Sequence, residues 1–213
     1  MQPVKVVIPW MPNKSRQAGF DWVCEYYRHR LGSDSVHVEL QSSKKPFNRS
    51  RTINRAVARF PGCKIVISDA DCFLCDHALL RAVDEVDDEM MLIPHNRFCP
   101  TSVEQKQWIL ERNPAEKVTA RWFLKTRRRP AQAGIWVVTH DFFMDAPMDE
   151  RFEGWGCEDT EFLRRTATRR FSGPLYHIHH KRPSKRHFMR NKKLHRAIRK
   201  EVSFNESNNL ETS

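Results

Sequence analysis

No run of apolar residues in this 213-residue chain approaches the length of a membrane span. The opening residues, Met1-Gln2-Pro3-Val4-Lys5, lack the charged, apolar and small-residue regions of a signal peptide. A cytosolic, reducing location is therefore expected, with Cys24, Cys63, Cys72, Cys75, Cys99 and Cys157 as thiols. Cys72-Phe73-Leu74-Cys75 has the spacing of half a zinc site, but no second Cys pair follows at a suitable distance. The pair reads more simply as two small buried hydrophobes. Internal repeats and Gly-Ser linkers are also missing, which leaves a single folded unit. The 13 Phe and 6 Trp supply its core.

Another absence concerns charge. Between Phe162 and Lys200 there is no Asp or Glu, yet 14 of the 37 Lys and Arg residues lie there. The net charge of +11 sits wholly in this stretch, and the rest of the chain carries slightly more acid than base. A solvated helix face ordinarily mixes signs. The stretch reads as a surface for a polyanion, whether nucleic acid, nucleotide phosphate or anionic lipid, or else as a solubilising tail.

Apolar patterning supplies the elements. Val4–Ile8 predicts a buried strand ended by Pro9, Gln17–Leu31 a helix closed by Gly32, and Val36–Leu40 a second strand. Asn48–Phe60 predicts a helix, Lys64–Ser68 a third strand, Asp76–Val86 a helix capped by Asp76, and Met90–Ile93 a fourth strand. Further on, Gln105–Arg112 reads as a helix and Gly134–Thr139 as a strand. A short helix follows at His140–Asp145, then a helix from Glu158 to about Arg170 and a short strand at Leu175–Ile178. Val118–Pro130 has no clear pattern, Lys181 onward predicts a basic helix, and Phe204–Ser213 a frayed polar end. This alternation predicts an α/β fold with a mostly parallel sheet flanked by helices. Ligands of such sheets bind beyond the carboxyl ends of the strands, here Pro9–Arg16 and Asp69–Asp71.

Three segments carry chemistry. Asp69-Ala70-Asp71 follows an apolar strand, and strand alternation directs both carboxylates to one side, as oxygen ligands for Mg²⁺ or Mn²⁺. Its plain alternative is a turn or helix start. In Gly154-Trp155-Gly156-Cys157-Glu158-Asp159, two glycines make a tight loop that presents an indole, and two acids open a helix whose dipole favours their charge. Such a carboxylate can take a proton from an acceptor hydroxyl, or can simply cap the helix while Trp155 packs in the core. In His177-Ile178-His179-His180, one imidazole can complete a metal site. On a strand His177 and His179 share a face and His180 points away. These histidines can equally belong to the basic surface, the preferred reading for His179.

The Asp-x-Asp after the third strand, the Ala133-Gly134-Ile135 strand, the Phe-x-Gly-Trp-Gly-x-Glu-Asp segment and the late histidines together resemble the GT-A glycosyltransferases. The resemblance runs over about residues 4 to 183, within an expected domain of 1–183 followed by a basic helix and polar tail at 184–213. It is strongest to the β-1,4-galactosyltransferase and chondroitin-polymerase groups, and looser to the polypeptide N-acetylgalactosaminyltransferases. Pro46-Phe47-Asn48-Arg49-Ser50 and Ile8-Pro9-Trp10 with Arg16 are similar to nucleotide-binding segments of the galactosyltransferases.

The resemblance implies a Rossmann-like nucleotide-diphospho-sugar transferase fold, a UDP-sugar donor and Mn²⁺ or Mg²⁺. Pro9, Trp10, Arg16, Asn48, Arg49, Asp69, Ala70, Asp71 and Gly134 would line the nucleotide-sugar site. Asp71 with His177, then His180, would ligate the metal, with Asp69 beside them. Trp155, Gly156 and Glu158 would line the acceptor site, and Asp159, with Glu158, would act as the base of an inverting displacement, while the looser similarity to retaining enzymes leaves the stereochemistry open. Cys157 stands where Gly is frequent, and Thr160 replaces a third acid of the galactosyltransferases, which leaves the acceptor open.

A short, anchorless, basic member suits a bacterial or phage enzyme in the host cytoplasm. Its acceptor is then expected to be a hydroxymethylated base in double-stranded DNA. Arg164, Arg165, Arg169, Arg170, Lys185, Arg186, Lys192 and Lys193 would clamp the phosphates. A protein or glycan acceptor explains the same motifs. From other classes, a non-catalytic nucleic-acid-binding module and a metal-dependent nuclease or nucleotidyltransferase remain as alternatives.

Overall fold

The computed structural model describes residues 2–41, 46–123, 133–181 and 186–211. The first half follows the expected alternation closely. Strand β1 (Val4–Trp10) runs two residues past the expected stop. Pro9 falls outside the ladder to the third strand, whose last pair is Val7–Ile67, so its missing N–H removes nothing there. Helix α1 (Gln17–Leu31) ends at Gly32, whose φ of 103° lets its N–H return to the Arg28 carbonyl. Strand β2 (Val36–Leu40) precedes α2 (Arg49–Val57), which is shorter than expected and capped by the Asn48 side chain. Strand β3 (Lys64–Ser68) is as predicted.

Next come β4 (Cys72–Leu74), α3 (Asp76–Glu85), β5 (Met91–Ile93), β6 (Arg97–Pro100) and α4 (Val103–Leu110). Asp76 does not cap α3. Cys75 holds that position, and the Asp76 carboxylate instead accepts from Arg30 Nε at 3.0 Å. The second half holds β7 (Ile135–Thr139), α5 (His140–Asp145), α6 (Glu158–Arg165), β8 (Thr168–Arg170), β9 (Pro174–His177) and α7 (Phe188–Glu211). The helix expected to reach Arg170 stops at Arg165, and the chain turns into an edge strand.

The main sheet has the order β2-β1-β3-β7-β5-β8. Its pairs are parallel except where β7 lies, which is antiparallel to both β3 and β5. Alternate residues face opposite sides. Val6, Ile8, Val66, Leu92, Ile135 and Val137 pack into one apolar cluster, and Val7, Ile65, Ile67, Ile93, Trp136 and Val138 into the other. Both faces are thus covered, which is why β1, β3, β5 and β7 read as largely continuous apolar runs, unlike the edge strands β2 and β8.

A second sheet, β4-β9-β6, extends from the end of β3. Its antiparallel β4–β9 register sets Cys72 opposite His177, and the Ile178 amide donates to the Asp71 carbonyl at 2.8 Å. This short sheet carries residues from the end of the domain to the Asp-x-Asp segment. Among the described residues no helix is long and apolar enough to cross a membrane.

Candidate active site

Asp69, Ala70 and Asp71 link β3 to β4 and do not continue a strand. The two carboxylates consequently have different partners. Asp69 accepts from Arg49 Nε at 2.9 Å, with Nη2 at 2.8 Å, and its backbone N–H donates to the Gly134 carbonyl at 2.8 Å. Asp71 meets Arg16 Nη2 at 2.6 Å, His180 Nε2 at 3.0 Å and His177 Nε2 at 3.6 Å. Ala70 is buried in the core, so only its backbone is available to a donor.

The expectation that His180 points away from His177 is corrected. Strand β9 ends at His177, so strand alternation no longer governs the next residues, and the two rings converge at 5.0 Å between centroids. His179 is exposed, and its N–H donates to Thr101. Burial opposes a charge on Asp71, but His177, His180 and Arg16 outweigh it and hold its pKa well below the usual carboxylate range. The hydrogen bond to Asp71 raises the pKa of His180, whereas burial lowers that of His177.

Carboxylate and imidazole donors converging on one point fit a divalent cation. Asp71, Cys72 and His177 each offer a ligand atom within 4.8 Å of the others, and Asp69 lies outside that group. Asp69 is committed to Arg49 instead, which separates the two carboxylates expected to share the metal.

Around this centre, Trp10 at the carboxyl end of β1 stacks on Phe20 at 4.3 Å and lies under the Arg16 guanidinium at 5.5 Å. Pro9 and Trp10 are both buried. Asn48 uses both ends of its amide within the protein. Oδ1 accepts from the Arg51 amide at 2.8 Å, and Nδ2 donates to the Glu150 carbonyl at 2.7 Å. Gly134, with φ of 121°, packs so closely that a Cβ would lie 2.3 Å from Leu175 Cδ2. Two supports were not legible from pattern. Tyr27 donates to Ser68 Oγ at 2.9 Å, and Ser68 donates to the Asp69 carbonyl at 3.0 Å.

The Gly154–Asp159 loop is built as its glycines suggest. Gly154 (φ 70°) and Gly156 (φ 110°) occupy the left-handed region, and so does Cys157 (φ 75°), the N-cap of α6. Trp155 is half-exposed and stacks on Phe188 of α7 at 5.3 Å, so it is not a core residue. Glu158 is buried and accepts the Gly156 N–H at 3.0 Å. Burial first, and the Asp159 charge second, raise its pKa. Asp159 is half-buried and accepts from the Thr160 amide.

Arg49 connects the two acid motifs. It lies over the Trp136 ring at 5.1 Å, and although burial disfavours its charge, Asp69, Glu158 and Asp159 outweigh that and raise its pKa. The Gly154 N–H donates to the Phe47 carbonyl at 2.7 Å, which latches the loop to the start of α2.

The basic stretch is not acid-free in space. Arg165 pairs with Glu161 at 2.9 Å, Arg169 with Glu85 at 2.7 Å and Arg190 with Glu153 at 2.8 Å, and Arg170 donates to the His95 carbonyl at 2.9 Å. Arg164, Arg186, Lys192 and Lys193 are exposed. Lys185 lies outside the described residues. Helix α7 docks through Asn191, whose amide donates to the Glu153 carbonyl at 3.0 Å.

No family model matches the sequence, and no curated protein matches it. Solved structures do match. The catalytic domain of Drosophila β1,4-galactosyltransferase 7 in complex with xylobiose is 17% identical with a TM-score of 0.56, over 91% of this chain and 79% of that one. A mutant of that enzyme with manganese, UDP-Gal and xylobiose is 18% identical with a TM-score of 0.53, over 87% and 79%. Glucosyl-3-phosphoglycerate synthase from Mycobacterium tuberculosis, with Mn²⁺, UDP and glucosyl-3-phosphoglycerate, is 12% identical with a TM-score of 0.51, over 85% and 73%. The fold is the mixed α/β GT-A fold of nucleotide-sugar transferases.

Proposed function

We propose that the protein is a cation-dependent glycosyltransferase that moves a sugar from a uridine-diphosphate sugar to a hydroxyl acceptor. The observation that carries this reading is the meeting of two acid motifs, almost ninety residues apart in sequence, at the start of α2: Arg49 bonds Asp69 and feels the charges of Glu158 and Asp159, and the Gly154 N–H bonds the Phe47 carbonyl. Similar folds with bound manganese and UDP-Gal, or with Mn²⁺ and UDP, support the donor class. Asp71 and His177, with His180 beside them on the other carboxylate oxygen, would hold Mn²⁺ or Mg²⁺, and the cation when bound would neutralise the leaving diphosphate.

The chain's own residues do the rest. Arg49 fixes Asp69 for the ribose or sugar, while Trp10 and Arg16 bound the nucleotide side. Asn48 serves this wall by capping α2 rather than by offering a free amide. Trp155 presents an indole face on which a sugar can stack. Asp159 takes the acceptor proton as the acceptor oxygen bonds to the anomeric carbon and the bond to the diphosphate breaks. Glu158 holds the loop through Gly156.

A panel of UDP-sugars with hydroxyl acceptors tests this. Transfer should require Mn²⁺ or Mg²⁺, and Asp159→Asn should keep UDP binding but lose transfer by about 10²–10⁴-fold. Wild-type transfer by that variant removes Asp159 as the base.

For the acceptor, exposed Lys192 and Lys193 on α7 favour an anionic substrate such as duplex DNA bearing hydroxymethylated bases. The internal pairing of Arg165 and Arg169 narrows the phosphate clamp relative to the expected one. DNA binding that falls steeply with salt and with neutralisation of Lys192 and Lys193 fits this acceptor. Salt-insensitive binding, or none, shifts the acceptor to a protein or glycan hydroxyl.

A further inference from the structure

Cys72 adjoins the cation centre without a part in the function proposed above. Its Sγ lies 3.7 Å from Asp71 Oδ1, and the same oxygen lies 3.6 Å from His177 Nε2. All three donor atoms fall within 4.8 Å of one another. Zinc bonds of about 2.0–2.3 Å in a tetrahedron separate neighbouring donors by roughly 3.3–3.8 Å. The two separations from Oδ1 match that spacing. The other carboxylate oxygen, Oδ2, faces Arg16 and His180 instead, so Oδ1 is the one turned toward sulfur.

The arrangement has a backbone cause. The antiparallel register of β4 and β9 places Cys72 directly opposite His177, and residues so paired point to the same face. The Ile178 N–H to Asp71 carbonyl bond then locks the segment beside them.

We propose that Cys72 is a cation ligand, giving Asp71, Cys72 and His177 a mixed oxygen, sulfur and nitrogen donor set that takes zinc-class cations such as Zn²⁺ and Co²⁺. This rests on the reading of Asp71 and His177 as the cation centre. A thiolate donor adds affinity for such cations to a centre proposed above for Mn²⁺ or Mg²⁺, and with His180 kept on Oδ2 of Asp71 the three protein ligands leave one tetrahedral position open for a diphosphate oxygen. On coordination the Sγ–H bond gives way to an Sγ–metal bond, and the proton leaves to solvent. The ligand set then carries two negative charges against the two of the cation.

Co²⁺ titration of the full chain, followed by absorption spectroscopy, tests the assignment. Wild-type protein should show visible d–d bands together with a near-ultraviolet thiolate-to-cobalt charge-transfer band. Cys72→Ser and Cys72→Ala should keep the d–d bands, lose the charge-transfer band and release one proton fewer per cation. Cys157→Ser, which removes the most exposed thiol, should retain both. Wild-type d–d bands without charge transfer would overturn the Cys72 assignment while leaving the cation centre standing, and this outcome needs no variant to fold. The absence of any cobalt band would overturn the centre as well.

Discussion

At the scale of single residues, Glu158 and Asp159 show how two adjacent acids acquire different work. Glu158 turns inward, takes the Gly156 N–H and is deprived of water. Asp159, one position on, stays half-buried at the mouth of α6. Burial and the neighbouring charge raise the folded-state pKa of Glu158 above the value of an unfolded glutamate, about 4.3. The folded state therefore binds more protons than the unfolded one as pH rises above that value, and Glu158 costs stability on the alkaline side of this window. Melting temperatures of wild type and Glu158→Gln between about pH 5 and 7 should diverge, with the wild type losing stability relative to the variant as pH rises. Parallel curves would show that Glu158 does not titrate abnormally.

At the scale of elements, the loop before α6 works because α7 closes over it. Phe188 stacks on Trp155, and His187 and Phe188 fill the space that side chains at 154 and 156 would need. A Cβ at Gly156 would lie 2.6 Å from Phe188 Cδ2 at a φ of 110°. Gly156→Ala should lower the melting temperature by about 2–8 °C, from a left-handed cost of roughly 1–2 kcal/mol in a chain of this size. It should also raise the acceptor KM more than the donor KM. An unchanged melting temperature and acceptor KM would mean that the loop is not held against α7.

The same scale explains what was legible in sequence. The strands β1, β3 and β7 were readable as runs of mostly buried, β-branched residues, and β2 from its alternation of apolar and polar residues. Strands β4, β6 and β8 were not, because three or four residues show no period and β8 is exposed throughout. Missing β4 and β9 as partners also hid the place of Cys72, since its proximity to His177 is a matter of register. Asp71, His177 and the Gly-Trp-Gly-x-Glu-Asp loop were readable as candidates because their chemistry is local. The Arg49 link between the motifs, the Tyr27–Ser68 support and the pairing of the basic stretch with Glu85 and Glu153 depend on contacts between distant segments.

At the scale of the whole molecule, the two sheets meet at Asp69–Asp71, and the chain returns to that point three times. Helix α1 supplies Tyr27 beneath it, β9 and the residues just after it bring His177 and His180, and α2 brings Arg49 with the Gly154 loop latched behind it. A site assembled from so many segments is expected to bind ligand and cation together rather than separately. Calorimetric titration of UDP into wild-type protein and Asp71→Asn, each with Mn²⁺ and with a chelator, tests this most directly. UDP should bind the wild type when Mn²⁺ is present and weaken at least about tenfold on chelation or in the variant. Equal UDP binding with the chelator present, or by Asp71→Asn, would contradict a cation-dependent nucleotide site at the junction of the two sheets.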